Sequence, residues 1–172
     1  VSSAGTYYVK AALMTSASNY SSYLPTYHSL SLFWGTATGI VVGTSSQVNK
    51  DIYMVQGTNP GGPGFIGGLV SQGANKGAGP GDPMPDVSIL LTNINDNAIT
   101  HTVTDASGEY EFNNLAYGTY KVHVEIIGMP ATASIVTISA SNPSFEAANF
   151  TVNSDGVVGI EREVSATVGG LY

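Results

Sequence analysis

The alternation of apolar and polar residues is clearest between residues 99 and 124, where it predicts β-strands rather than helices. In Glu109-Tyr110-Glu111-Phe112 two rings fall on one face and two carboxylates on the other, and Tyr120, Val122 and Val124 alternate in the same way with Lys121, His123 and Glu125. Ahead of the first of these strands, Asp105-Ala106-Ser107-Gly108 has the chemistry of a tight turn, with Asp able to accept backbone hydrogen bonds and Gly able to take a positive φ. The stretch therefore reads as a β-hairpin followed by a further strand, and the face that carries the rings must be a core.

Further strand candidates, each bounded by Gly, Pro, Asn or Asp, are Phe65–Val70, Val87–Thr92, Ile99–Thr104, Thr132–Ile138 and Glu146–Val152, which brings the region from 64 to about 155 to seven strands. A shorter copy of the pattern precedes it. Gly5-Thr6-Tyr7-Tyr8-Val9-Lys10-Ala11 aligns with Gly118-Thr119-Tyr120-Lys121-Val122-His123-Val124, and it too is followed by two strand candidates, Ala37–Gly43 and Val48–Val55. Alternation turns Tyr7, Val9 and Ala11 inward and Tyr8 and Lys10 outward.

This organisation predicts an all-β chain of tandem β-sandwiches with the first incomplete. Residues 1–57 form the carboxy-terminal half of a module, 58–64 a Gly- and Pro-rich linker, 65–155 a complete sandwich, and 156–172 a tail. Three strands leave edges and an apolar face that something must cover. Either the half-module docks on its neighbour, or its missing strands come from another polypeptide.

Composition narrows the function. With 21 Gly, 10 Tyr and 10% charged residues the chain is turn-rich and β-prone, and 42% hydrophobic residues are enough for a core. A net charge of -7 argues against nucleic acid and anionic membranes as partners. No apolar run reaches the roughly 20 residues of a membrane-spanning helix. The absence of cysteine removes thiol chemistry and Cys-based zinc sites. No basic-then-apolar leader opens the sequence, which reads as a mature fragment.

The least generic segment is Asn19 to Trp34, rich in aromatic residues. Tyr20, Tyr23, Tyr27 and Trp34 are candidate glycan contacts, because a pyranose presents an apolar C–H face to an aromatic ring. The competing reading has Phe33 and Trp34 plug the open end of the sandwich. Asn95, Asp96, Asp105 and Glu109 are candidate calcium ligands, although the same residue types are ordinary turn formers. His28, His101 and His123 have no metal-ligand spacing and read as surface histidines. No nucleophile turn, zinc-protease motif or phosphate loop is present, so no catalytic residue is expected and no cofactor beyond calcium.

The run Thr104-Asp105 … Gly108-Glu109-Tyr110-Glu111-Phe112 … Leu115 … Gly118-Thr119-Tyr120-Lys121-Val122 resembles carboxypeptidase regulatory-like domains and the related Cna-type B repeats, which are prealbumin-like β-sandwiches. The resemblance implies a structural or adhesive module of a secreted or cell-surface protein, serving as stalk, adhesin segment or filament subunit. Its partners would be neighbouring modules or subunits. The alternative is a carbohydrate-binding accessory module of a secreted hydrolase. Some Cna-type modules carry a Lys-to-Asn isopeptide bond, but Lys10 and Lys121 face outward by alternation and no crosslink is expected. The Tyr23-Leu24-Pro25-Thr26-Tyr27 segment resembles large Bacteroidetes surface proteins, and the closing Leu171-Tyr172 resembles the junction before a type IX secretion sorting domain.

Overall fold

A computed structural model describes residues 3–73 and 79–160. Those residues are almost entirely strands, turns and loops, with helix limited to two 3-10 turns, Tyr20–Ser22 and Trp34–Thr36.

The amino-terminal segment contains β1 (Gly5–Tyr7), β2 (Lys10–Ala11), β3 (Tyr23–Leu24), β4 (Thr26–Tyr27), β5 (Ile40–Val42) and β6 (Val55–Gln56). They pair in three short antiparallel ladders, β1 with β5, β2 with β4 and β3 with β6. This differs from the predicted half-sandwich. The candidate Gly5–Ala11 breaks after Tyr7, and Val48–Val55 contributes only its last residue to a strand. Asn49 has φ of 57°, in the left-handed region, while Val48 and Tyr53 stand exposed, so no continuous apolar face forms there.

From Gly64 onward the chain builds a two-layer sandwich from β7 (Gly64–Gln72), β8 (Ser88–Asn93), β9 (Ala98–Val103), β10 (Glu109–Leu115), β11 (Gly118–Glu125), β12 (Ser134–Ile138), β13 (Ser144–Phe145), β14 (Asn149–Asn153) and β15 (Gly156–Ile160). One sheet has the order β10-β7-β14-β15, with β13 also on β7, and the other has the order β12-β11-β8-β9. The inward face is the one that alternation predicts: Tyr110, Phe112, Tyr120, Val122 and Val124 are all buried in a core with Ile66, Ile89, Leu91 and Phe150.

Three expectations change in this region. The Asp105–Gly108 turn has the predicted chemistry, with Asp105 Oδ1 accepting from the Ser107 and Glu109 amides and Gly108 at φ 75°. It does not close a hairpin, because β9 and β10 belong to opposite sheets, so the turn arches over the end of the core. The single strand expected over Glu146–Val152 is displaced and divided into β13 and β14, both parallel to β7. The break between them is fixed where the Tyr110 hydroxyl donates to the Ala148 carbonyl beside Gly68, at which a Cβ would collide with that same carbonyl. Finally, the part of the expected tail that is described, Gly156–Ile160, is a strand paired along β14, with Val157 buried. Residues 161–172, including Leu171 and Tyr172, lie outside the described residues.

The predicted linker, and Gly57 just before it, are stitched to their surroundings. The Gly57 amide donates to the Ser22 carbonyl and the Thr58 amide to the Ala98 carbonyl. A Cβ on Gly57 would lie 2.4 Å from the Ile99 carbonyl oxygen, and one on Gly62 would lie 2.5 Å from that of Leu115. Only glycine lets the backbone approach so closely at both places.

Candidate functional site

Strand β8 shows why the amino-terminal segment sits where it does. Its centre, Ile89-Leu90-Leu91, is apolar on both faces, and Leu90 points away from the sandwich core yet is fully buried. Leu24 and Leu32 of the amino-terminal segment pack on it, flanked by Phe33, Val55 and Ala98. Burying a leucine side chain is worth about 1.5–3 kcal/mol, so this small cluster is a substantial docking force.

Around the cluster lie the polar contacts. Glu125, at the end of β11, is 8% exposed, and its Oε1 accepts from the Tyr27 hydroxyl at 2.8 Å and from the Trp34 amide at 2.9 Å. Burial, together with the bond to Glu125, raises the Tyr27 hydroxyl pKa. Lys10 places its ammonium 4.9 Å from the Tyr27 ring centre, and burial lowers its pKa against the attraction of Glu125. A buried carboxylate with two donors and a nearby cation is a satisfied group, which anchors rather than reacts.

His101, on β9, donates from Nε2 to the Tyr20 carbonyl at 2.7 Å, with its ring against the Tyr20 edge. It is 2% exposed and its Nδ1 has no partner, so burial lowers its pKa. His123 bonds to the Thr92 hydroxyl and lies 4.6 Å from the Phe33 ring centre, and burial pushes it down to about 4. Neither is the surface histidine expected: both are hydrogen-bonded, but the docked segment covers the face they are on. Lys10, expected outward, lies on the docked segment itself and is half-buried with its ammonium over the Tyr27 ring.

The four candidate glycan aromatics therefore separate. Tyr27 is 1% exposed and closed to any ligand. Tyr20 and Tyr23 are half-buried, the first on His101 and the second in the ladder with Gln56. Trp34 is half-buried, with its ring centre 4.2 Å from that of Tyr8. Phe33 packs against His123 on the outer face of a sheet, and the Trp34 ring lies against Tyr8 and Tyr27, so the pair does not form the expected plug.

The candidate calcium ligands do not converge. Asn95 and Asp96 lie in the turn before β9, and Asp105 and Glu109 follow its far end, six residues of strand away, or roughly 20 Å. Asp96 is paired with Lys121 at 2.8 Å, and that bond holds its carboxyl below the usual range. Asp105 and Glu109 share a groove of about 540 Å³ with Glu111, Glu146 and Phe65 on the outer face of β7 and β10. Among the described residues no three His, Asp or Glu side chains are placed to hold a metal ion.

The residue that sequence reasoning missed is Glu125, which alternation marks only as outward-facing. A signal was present in Ile89-Leu90-Leu91: three apolar residues in succession on a strand require burial on both faces.

No curated protein matches the chain. The major pilin subunit BcpA of Bacillus cereus is 19% identical, with a TM-score of 0.42, over 58% of this chain and 31% of that one. Its D312A variant is 16% identical, with a TM-score of 0.38 over the same shares. The dioxygenase domain of a carbohydrate-binding fusion protein from Streptomyces sp. SirexAA-E is 17% identical, with a TM-score of 0.34, over 67% of this chain and 93% of that one. The chain thus spans under a third of the pilin subunit's length. Within the sandwich, residues 76–158 match the family of carboxypeptidase regulatory-like domains.

Proposed function

We propose that this chain is a structural module of a secreted or cell-surface protein, acting without catalysis. The observation that carries this reading is the docked segment: Leu24, Leu32, Tyr27 and Trp34 fasten residues before Gly57 to the outer face of β8, β9 and β11. A rigid junction of this kind turns a string of sandwiches into a stiff stalk, whereas a free Gly- and Pro-rich linker would leave them to swing. The match of residues 76–158 to a family of β-sandwich domains supports the reading. Membership of a Bacteroidetes surface protein exported by type IX secretion is the finer form of it, the first part supported by the Tyr23-to-Tyr27 sequence and the second by Leu171-Tyr172.

The test is limited proteolysis of the full chain combined with small-angle scattering. Resistance of the 43–64 region to cleavage at the Gly-Pro stretch, with a rigid scattering profile, is expected. Rapid release of the amino-terminal segment from an intact sandwich would overturn the reading. Specific retention on a polysaccharide, lost in Trp34→Ala with the fold preserved, would replace it with the glycan-binding alternative, for which the half-exposed Tyr8 and Trp34 pair is the remaining surface.

A further inference from the structure

A small groove opens where the docked segment meets the end of β11. It has a volume of about 350 Å³ and is lined by Phe33 and Gly35 of the docked segment, by His123 and Glu125 of β11, and by Met129 and Pro130 of the loop that follows. Among its lining residues His123 and Glu125 carry the only polar side chains.

Glu125 holds the docked segment through one oxygen alone. Oε1 takes both donors, the Tyr27 hydroxyl and the Trp34 amide, while Oε2 has no hydrogen-bond partner among the described residues. Oε2 is not sealed from solvent either, since the unpartnered side-chain atoms that are fully buried are Ser88 Oγ and His101 Nδ1. Among the described residues the one ion pair joins Lys121 to Asp96, and Lys10 stands over the Tyr27 ring, so the Glu125 charge lacks a salt-bridge partner.

His123 adds a second open acceptor. Its Nε2 lies 3.1 Å from the Thr92 hydroxyl, and a proton donated from Nε2 leaves Nδ1 as an acceptor with no partner among the described residues. Burial keeps the ring neutral at neutral pH, with its pKa pushed down to about 4. The groove thus offers two acceptors and no side-chain donor between apolar walls. That chemistry is complementary to a cation that only donates.

We propose that this groove is a binding site for a primary ammonium on an aliphatic stem, the side chain of a lysine presented by a neighbouring module or subunit. The ammonium donates to Glu125 Oε2 and His123 Nδ1, and the stem lies along Phe33, Met129 and Pro130. A guanidinium fits less well, because its planar fork seeks both oxygens of one carboxylate and Oε1 is already committed. The source of the lysine rests on the structural-module reading, whereas the site itself stands on the groove.

The experiment titrates the full chain with N-acetyl-lysine amide and follows the Met129 methyl and His123 ring signals by NMR. Saturable shifts at both are expected, with weaker binding of N-acetyl-arginine amide and none of N-acetyl-norleucine amide. Glu125→Gln should weaken binding about tenfold, as the loss of a charge-assisted hydrogen bond does. Gly35 is exposed and a Cβ there meets nothing within 4 Å, so Gly35→Leu narrows the groove without disturbing the core and should abolish binding at an unchanged melting temperature. Equal binding of the norleucine amide, tighter binding of the arginine amide, full binding to Gly35→Leu, or no shift at Met129 and His123 would each overturn the proposal. None of these failures touches the docked-segment reading, which limited proteolysis tests separately.

Discussion

Tyr27 and Glu125 lie 98 positions apart in the chain and meet at 2.8 Å, phenol to carboxylate, in a setting from which water is nearly excluded. The pair ties the amino-terminal segment to the far end of the sandwich sheet. Hydrogen bonds to charged groups contribute about 1.5–3 kcal/mol, and removing the acceptor leaves buried donors unsatisfied. Tyr27→Phe should therefore cost about 2 kcal/mol, and Glu125→Ala more, because it also strands the Trp34 amide. Urea denaturation of both variants checks the order, and equal costs would count against Glu125 as the shared anchor.

Acid should loosen the docked segment. His101 and His123 both have pKa values below the ordinary 6.5, His123 at about 4, because burial disfavours their charged forms. The unfolded chain binds protons more readily at these sites, so stability is full above pH 6.5 and falls as pH drops toward 4. Lys10 faces His101, while Lys121 and Asp96 face His123. Melting temperature against pH should show the decline, and His123→Gln should flatten it. An unchanged slope in that variant would remove His123 from the account.

Gly57→Ala should free the amino-terminal segment while sparing the sandwich. The added methyl would meet the Ile99 carbonyl at 2.4 Å, a backbone atom that cannot swing aside. Overpacking of this kind costs about 1–3 kcal/mol. Trypsin should then cut at Lys50 in the variant faster than in the parent, with the fragment from Gly64 onward persisting.

Calcium chelation should leave the melting temperature where it is. The two oxygen-rich turns sit at opposite ends of β9, Asp96 is committed to Lys121, and Asp105 Oδ1 is committed to two amides. A fall of several degrees on adding chelator, restored by calcium, would show that the acidic groove beside β7 and β10 holds the ion after all.

The sandwich was legible wherever one face of a strand is buried and the other wet. Tyr110, Phe112, Tyr120 and Val122 gave their own orientation by alternation, and Gly108 announced its turn. Legibility failed where partners are distant. Whether β9 pairs with β10 depends on which sheet closes the core, and no residue in the Asp105 turn encodes that choice. The docked segment was hidden for a related reason: Tyr27 and Glu125 look like ordinary exposed polar residues until 98 positions of chain bring them together. The rings of the aromatic loop draw the eye, but part of what places it is backbone, the Trp34 amide and the Tyr20 carbonyl, which sequence cannot distinguish.

The parallel pairing of β7 with β14 has a mechanical side. Tension applied between Gly64 and Ile160 would first peel β15 from β14, where antiparallel bonds open one after another from the Ile160–Asn149 pair. It would then meet two strands running side by side in the same direction, Phe150 beside Val70 and Val152 beside Gln72, pulled at opposite ends. Those bonds lie across the line of force and must slide together to fail. A weak zipper in series with a shear clamp lets the module yield slightly under load before it resists.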